Sequence, residues 1–233
     1  MKLLKKSRFI YLFLFIFIIS GCSSNPSIES LYVKSKNSDS KEKFSYLELI
    51  KAKKPETKKD FYYKILAFLE TGEEEKALEL LKYFSPETSE EREVYIYLKA
   101  LKLKNLGFYN LSNKFLESVL KSKNKEIRNI SLLLYTSNLL NLKRKNEIDE
   151  KVYKKEIDNL RKRAQKEPSW IYYYSIMLLE KEDKNYKKAF ESAILSLELS
   201  PPEEFEKDIF FYISYMKEKS EKDYEKYKKY FEK

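Results

Sequence analysis

The sequence of 233 residues has no histidine, one cysteine and three glycines. Without histidine there is no His-based metal site, no Ser-His-Asp triad and no imidazole acid/base chemistry. One cysteine excludes an internal disulfide and any cysteine-cluster zinc site. Three glycines leave no glycine-rich phosphate loop, neither GxGxxG nor Walker A. Paired carboxylates such as Glu73-Glu74-Glu75 and Glu90-Glu91 lack an apolar setting. They read as solvated helix starts favoured by the helix dipole, not as acids with raised pKa. The expectation is no cofactor, no metal and no enzyme.

What is present points to helices. The chain is 36% charged and 42% hydrophobic, with 20 Tyr, 15 Phe and one Trp. Scarce Gly and Pro beside abundant Lys, Glu and Leu favour α-helix. The length allows one ordinary domain or two small ones. Lys+Arg 47 against Asp+Glu 37 gives +10, a balance whose meaning depends on the compartment.

The N-terminus addresses the compartment. Lys2, Lys5, Lys6 and Arg8 form a positive n-region, followed by an 11-residue apolar run from Phe9 to Ile19. That length suits a signal-peptide h-region and is short for a bilayer span. Ile19-Ser20-Gly21-Cys22 then resembles a bacterial lipobox, an aliphatic residue and two small ones before Cys. The resemblance implies a lipoprotein: diacylglycerol on the Cys22 thiol, cleavage before Cys22 by signal peptidase II, and acylation (palmitate or a related chain) of the new amino group. The competing reading is an ordinary signal peptide, or an uncleaved anchor with an incidental Cys. Ser23 rather than Asp after Cys22 points, by the sorting rule of many diderm bacteria, to the outer membrane if the source is diderm. Removing residues 1–21 takes four positive charges, leaving 43 against 37, or +6. An exported, lipid-anchored chain rarely meets nucleic acid, so contact with anionic headgroups or envelope polymers competes with plain solvated lysine.

After the signal peptide, 1–21, residues 22–43 are polar and Ser-rich and read as the lipidated Cys and a flexible tether. The helical-repeat domain spans 44–233. Phe44, Leu47 and Ile50 make a short first helix, stopped by Lys54-Pro55. From residue 58 the apolar period is helical almost throughout, in pairs broken near Gly72, Gly107, Lys143–Glu147 and between Lys181 and Asn185.

Segment 61–81 resembles a tetratricopeptide (TPR) repeat, with Gly72 in the turn and small Ala77 five residues on. Gly107 and Ser112 repeat that pattern 35 residues later, and Asn185–Pro201 carries Ala189, Ala193 and the closing Pro201. The third pair has no turn Gly and no small residue at the matching place. The fold expected is therefore all-α, an α-solenoid of TPR-like antiparallel helix pairs after a signal peptide and flexible tether. The alternative is an unrelated helical bundle.

In TPR-like units the first helices line a concave groove that binds an extended peptide or a helix. The register above puts Tyr62, Leu66, Tyr97, Leu101, Lys104, Tyr174, Leu178 and Lys181 on that groove. Tyr is a frequent interface anchor, though these side chains could equally fill contacts between repeats. Tyr62 and Leu66 stand where a carboxylate clamp would want Lys and Asn. Tyr224, Tyr227, Tyr230 and Phe231 form a C-terminal aromatic stripe that reads as a cap on the solenoid. The function expected is a membrane-anchored scaffold for other envelope proteins or peptides, engaged in envelope or outer-membrane protein assembly. The alternative is an envelope enzyme, or a regulator of an enzyme acting on peptidoglycan.

Overall fold

The computed structural model describes residues 26–219, and every regular element among them is helical. Cys22 with its lipobox and the stripe from Tyr224 to Phe231 lie outside the described residues. The chain divides into two compact units at Ser85/Pro86, where one helical-repeat domain over 44–233 was expected.

In the first unit, α1 (Ile28–Lys36), α2 (Ser40–Ala52), α3 (Lys58–Glu70) and α4 (Glu74–Leu80) follow one another, and a 3-10 turn, Leu81–Tyr83, closes α4. The tether expected over 22–43 is corrected here. The Ser27 side chain accepts from the Ser30 N–H and starts a helix. That helix buries Ile28, Leu31, Tyr32 and Ser35, one face at helical spacing. Asp39 caps α2, whose first residue, Ser40, lies four residues ahead of the expected start at Phe44. Ile28, Leu31 and Tyr32 pack with Leu47, Ile50 and Ala67 into one cluster, and each large side chain so buried contributes about 1.5–3 kcal/mol. The Tyr32 hydroxyl donates to Glu70 at 2.7 Å. Lys36 and Lys43 pair with the same carboxylate at 3.1 and 2.7 Å, fastening α1 and α2 to the end of α3.

The second unit holds α5 (Ser89–Asn105), α6 (Tyr109–Val119), α7 (Lys125–Arg144), α8 (Glu150–Lys166), α9 (Trp170–Glu182), α10 (Tyr186–Glu198) and α11 (Glu203–Lys219). Small residues set how closely the pairs cross. Ser112 on α6 is fully buried and donates to the Ala100 carbonyl of α5 at 2.8 Å. In the α9/α10 pair, Ala189 and Ala193 are fully buried, and Ser196 donates to the Trp170 carbonyl at 2.9 Å. The third pair differs, for a legible reason. Tyr153 stands on α8 fully buried, and its hydroxyl donates to the Leu179 carbonyl of α9 at 3.0 Å. With a ring instead of a small residue at the crossing, α8 packs closely on α9 rather than on α7.

The turns are more uniform than their sequences. Helices α3, α5, α7 and α9 end in the same Schellman motif. In the first unit Gly72 and Glu73 donate to Leu69 and Phe68. In the second, Gly107 and Phe108 donate to Lys104 and Leu103, Asn146 and Glu147 to Lys143 and Leu142, and Lys184 and Asn185 to Lys181 and Glu180. The left-handed residue has φ of 75° at Gly72, 83° at Gly107, 54° at Asn146 and 58° at Lys184. Asn146 thus does the work of the glycine that the third pair lacks.

Candidate interaction surface

The eight residues expected on one groove are split. Tyr62 and Leu66 belong to the first unit, where both are half-buried. Tyr62 stacks on Phe84 with ring centroids 6.0 Å apart, and Leu66 packs against the α1–α3 cluster. The other six belong to the second unit. Tyr97 and Leu101 are 4% and 0% exposed, which corrects their assignment to a groove. Helix α5 touches both α6 and α7, so its apolar arc is wide and takes in Val94, Tyr97, Leu98, Ala100 and Leu101. Tyr174 is corrected likewise. It is buried, its ring meets Phe205 edge-on at 5.2 Å, and its hydroxyl donates to Asp208. Burial and that hydrogen bond to Asp208 push the phenol well above its ordinary range.

Lys104, Leu178 and Lys181 remain half-exposed. The Lys181 ammonium sits over the Tyr212 ring at 4.0 Å and the Tyr215 ring at 4.9 Å. Burial holds it below the usual lysine range, and the two rings supply cation–π contact.

The groups the expected groove overlooked are on α7. Ser131, Leu132, Leu134, Tyr135, Thr136, Asn138, Leu139 and Leu142 are buried. Leu133, Ser137, Leu140 and Arg144 stay accessible, at spacings of four, three and four, so they share one face. Leu133 packs on the same cluster as Leu178, and Arg144 donates to Glu182 at 3.0 and 2.7 Å from Nε and Nη2. The α7 stripe therefore runs beside Leu178, Lys181 and Glu182. The result is one mixed surface, apolar in the middle and charged at the end reached by Arg144. Period-four spacing was the available signal, but the missing turn glycine drew attention away from this pair.

Two hollows lie on the other side, among the second helices. One, of about 420 Å³, is lined by Arg161, Tyr173, Ile176, Lys188, Glu191 and Leu195, among others. The other, of about 200 Å³, is lined by Glu117, Lys121, Tyr135, Glu156, Leu160 and Arg163, among others. Two of their polar groups are engaged. Arg161 pairs with buried Glu180 and with Asp158, and Tyr135 donates to Glu156 at 2.8 Å. Among the described residues no cluster of His, Cys, Asp and Glu could hold a metal ion, and no helix is long and apolar enough to cross a membrane.

No family model and no curated protein matches the chain. Among solved structures it is similar to "MamA 41-end from Desulfovibrio magneticus RS-1", at 20% identity over 75% of this chain and 93% of that one, with a TM-score of 0.46. It is also similar to the "MamA RS-1 ArsTM double mutant", at 22% identity over 71% and 86%, with a TM-score of 0.46. A third is the P58(IPK) TPR domain, at 14% identity over 84% and 57%, with a TM-score of 0.36.

Proposed function

We propose that the chain is a lipoprotein of the bacterial cell envelope, held at a membrane through Cys22, whose helix pairs act as a scaffold for a protein partner. The observation that carries the scaffold is the α7 stripe. Leu133, Ser137, Leu140 and Arg144 lie along a helix whose opposite face, from Ser131 to Leu142, is packed into the unit. An amphipathic helix or an extended segment laid along α7 would bury Leu140 and meet the Arg144–Glu182 pair at its end. The lipobox Ile19–Cys22 supports the anchor, and Ser23 supports the outer membrane in a diderm source. Partners are then other envelope proteins or peptides, with assembly of the envelope as the setting.

Two experiments test the two halves. A photo-crosslinking residue at Ser137 in the full chain should yield discrete adducts with an envelope protein, and one at exposed Glu198 on α10 should not. Equal adducts at both positions would remove the α7 surface from consideration. For the anchor, Cys22→Ser should abolish metabolic labelling by radioactive palmitate; unchanged labelling would refute lipidation at Cys22.

A further inference from the structure

The +6 that residues 26–233 carry is concentrated. Of their 43 basic and 37 acidic residues, seven basic and three acidic ones lie in α8, giving +4 in 17 residues. The other second helices of this unit are neutral: α6 has one Lys and one Glu, and α10 has two of each.

Within α8 the charge is sorted by face. Tyr153, Ile157, Leu160 and Ala164 are buried at 0–3% exposure. At 3.6 residues per turn, Lys151, Lys155, Lys162 and Lys166 fall within an arc of about 60° on the opposite side. All four are exposed, and none forms an ion pair with a described residue. Asp158, the acid of that face, is taken by Arg161 at 2.8 Å. The stripe extends over about 22 Å of straight helix. Val152 beside it is 48% exposed and gives its first turn an apolar side chain as well.

We infer that this outward face of α8 docks on the anionic phospholipid headgroups of a bilayer. A row of ammonium groups, none paired with a described residue, along one face of a 17-residue helix matches a negative surface, and each lysine brought to such a surface contributes about fivefold in binding. The inference builds on the proposed anchoring at Cys22, which would keep α8 within reach of a membrane and raise its effective concentration there. The docking and the anchor nevertheless rest on different residues and can fail separately.

The test uses the processed chain, residues 22–233, with Cys22→Ser, so that neither the leader nor an acyl chain contributes. Vesicles of phosphatidylcholine alone, and of phosphatidylcholine mixed with phosphatidylglycerol, are sedimented with it at low and high salt. The chain should partition onto the phosphatidylglycerol vesicles, stay off the neutral ones, and be released by salt. Lys151→Gln, Lys155→Gln, Lys162→Gln and Lys166→Gln combined should lower partitioning by several hundred-fold, to order of magnitude, with the helical circular dichroism retained. The same four positions changed to Arg should keep it. The inference is overturned if the Gln variant binds like the parent, if neutral vesicles bind as well as anionic ones, or if soluble polyphosphate binds while vesicles do not. A positive result with no palmitate on Cys22 would leave the docking standing and the anchor refuted; the reverse pair of results would do the opposite.

Discussion

Asn138 locks the first two helix pairs of the second unit together, and its removal has a calculable cost. The side chain lies on α7 with no solvent exposure. Its Nδ2 donates to Ser112 Oγ and to Asn113 Oδ1 on α6, both at 2.8 Å. Ser112 in turn donates to the Ala100 carbonyl of α5 at 2.8 Å, so one chain of hydrogen bonds ties α7 to α6 and α6 to α5. Asn138→Ala deletes two of these bonds, worth about 1 kcal/mol each. It also empties the space of an amide in a packed site, for about another 1 kcal/mol. The expected loss is about 3 kcal/mol, read as a lower urea midpoint by far-ultraviolet circular dichroism. Asn138→Leu restores the volume and removes Oδ1, which has no partner among the described residues. Its net cost should be about 2 kcal/mol, because the same two hydrogen bonds are lost and only the volume is recovered. The reasoning is refuted if the Ala variant loses less than about 1 kcal/mol, or if the Leu variant is as damaged as the Ala variant. In the second case the emptied space would contribute nothing and the whole loss would lie in the hydrogen bonds.

Two further predictions concern turns and protons. A Cβ on Gly107 would meet nothing within 4 Å, so Gly107→Ala should cost only the left-handed backbone, about 1–2 kcal/mol. Lys184→Gly should recover part of the same term, raising the midpoint, because Lys184 holds φ at 58°. A lower midpoint for Lys184→Gly would mean that the lysine side chain contributes more than its backbone costs. Burial pushes the Glu70 carboxyl up, but hydrogen bonds from Lys43 and Tyr32 and the charges of Lys36 and Lys43 outweigh it and hold it below its usual range. The unfolded chain therefore takes up this proton first on acidification. The contribution is complete above the ordinary carboxylate range near 4.5 and is lost as pH falls through the depressed folded value. Thermal midpoints between neutral pH and about pH 3 should fall less steeply in Glu70→Gln than in the parent; parallel curves would remove Glu70 from the acid limb.

Much of the architecture was readable because pattern and packing agree. The pairs from residue 58 onward follow the apolar period, and Gly72 and Gly107 mark turns where a positive φ is in fact required. Asn146 and Lys184 close the same motif without a compositional signal, since a left-handed residue other than glycine has no distinctive neighbours. Helix α1 was legible in principle. Ile28, Leu31 and Tyr32 stand at helical spacing behind a Ser cap, but the Ser- and Lys-rich outer face gave the whole stretch the composition of a linker. The charge on α8 was hidden differently, because a chain-wide total spreads a local stripe over every helix.

The groove residues failed for a reason that follows from stacking itself. A first helix inside a stack is covered by its own second helix and by a neighbouring first helix. Its most apolar stripe is therefore its most buried one. Choosing Tyr97, Leu101 and Tyr174 for their apolar area selected the core, at 4%, 0% and 7% exposure. The face left over for a partner must be soluble when unoccupied and still worth burying when occupied, which calls for a mixed stripe at helical spacing. Leu133, Ser137, Leu140 and Arg144 on α7 meet that requirement. The same logic applied to the second helices isolates α8, whose free face carries lysine instead of leucine and so suits a surface defined by charge.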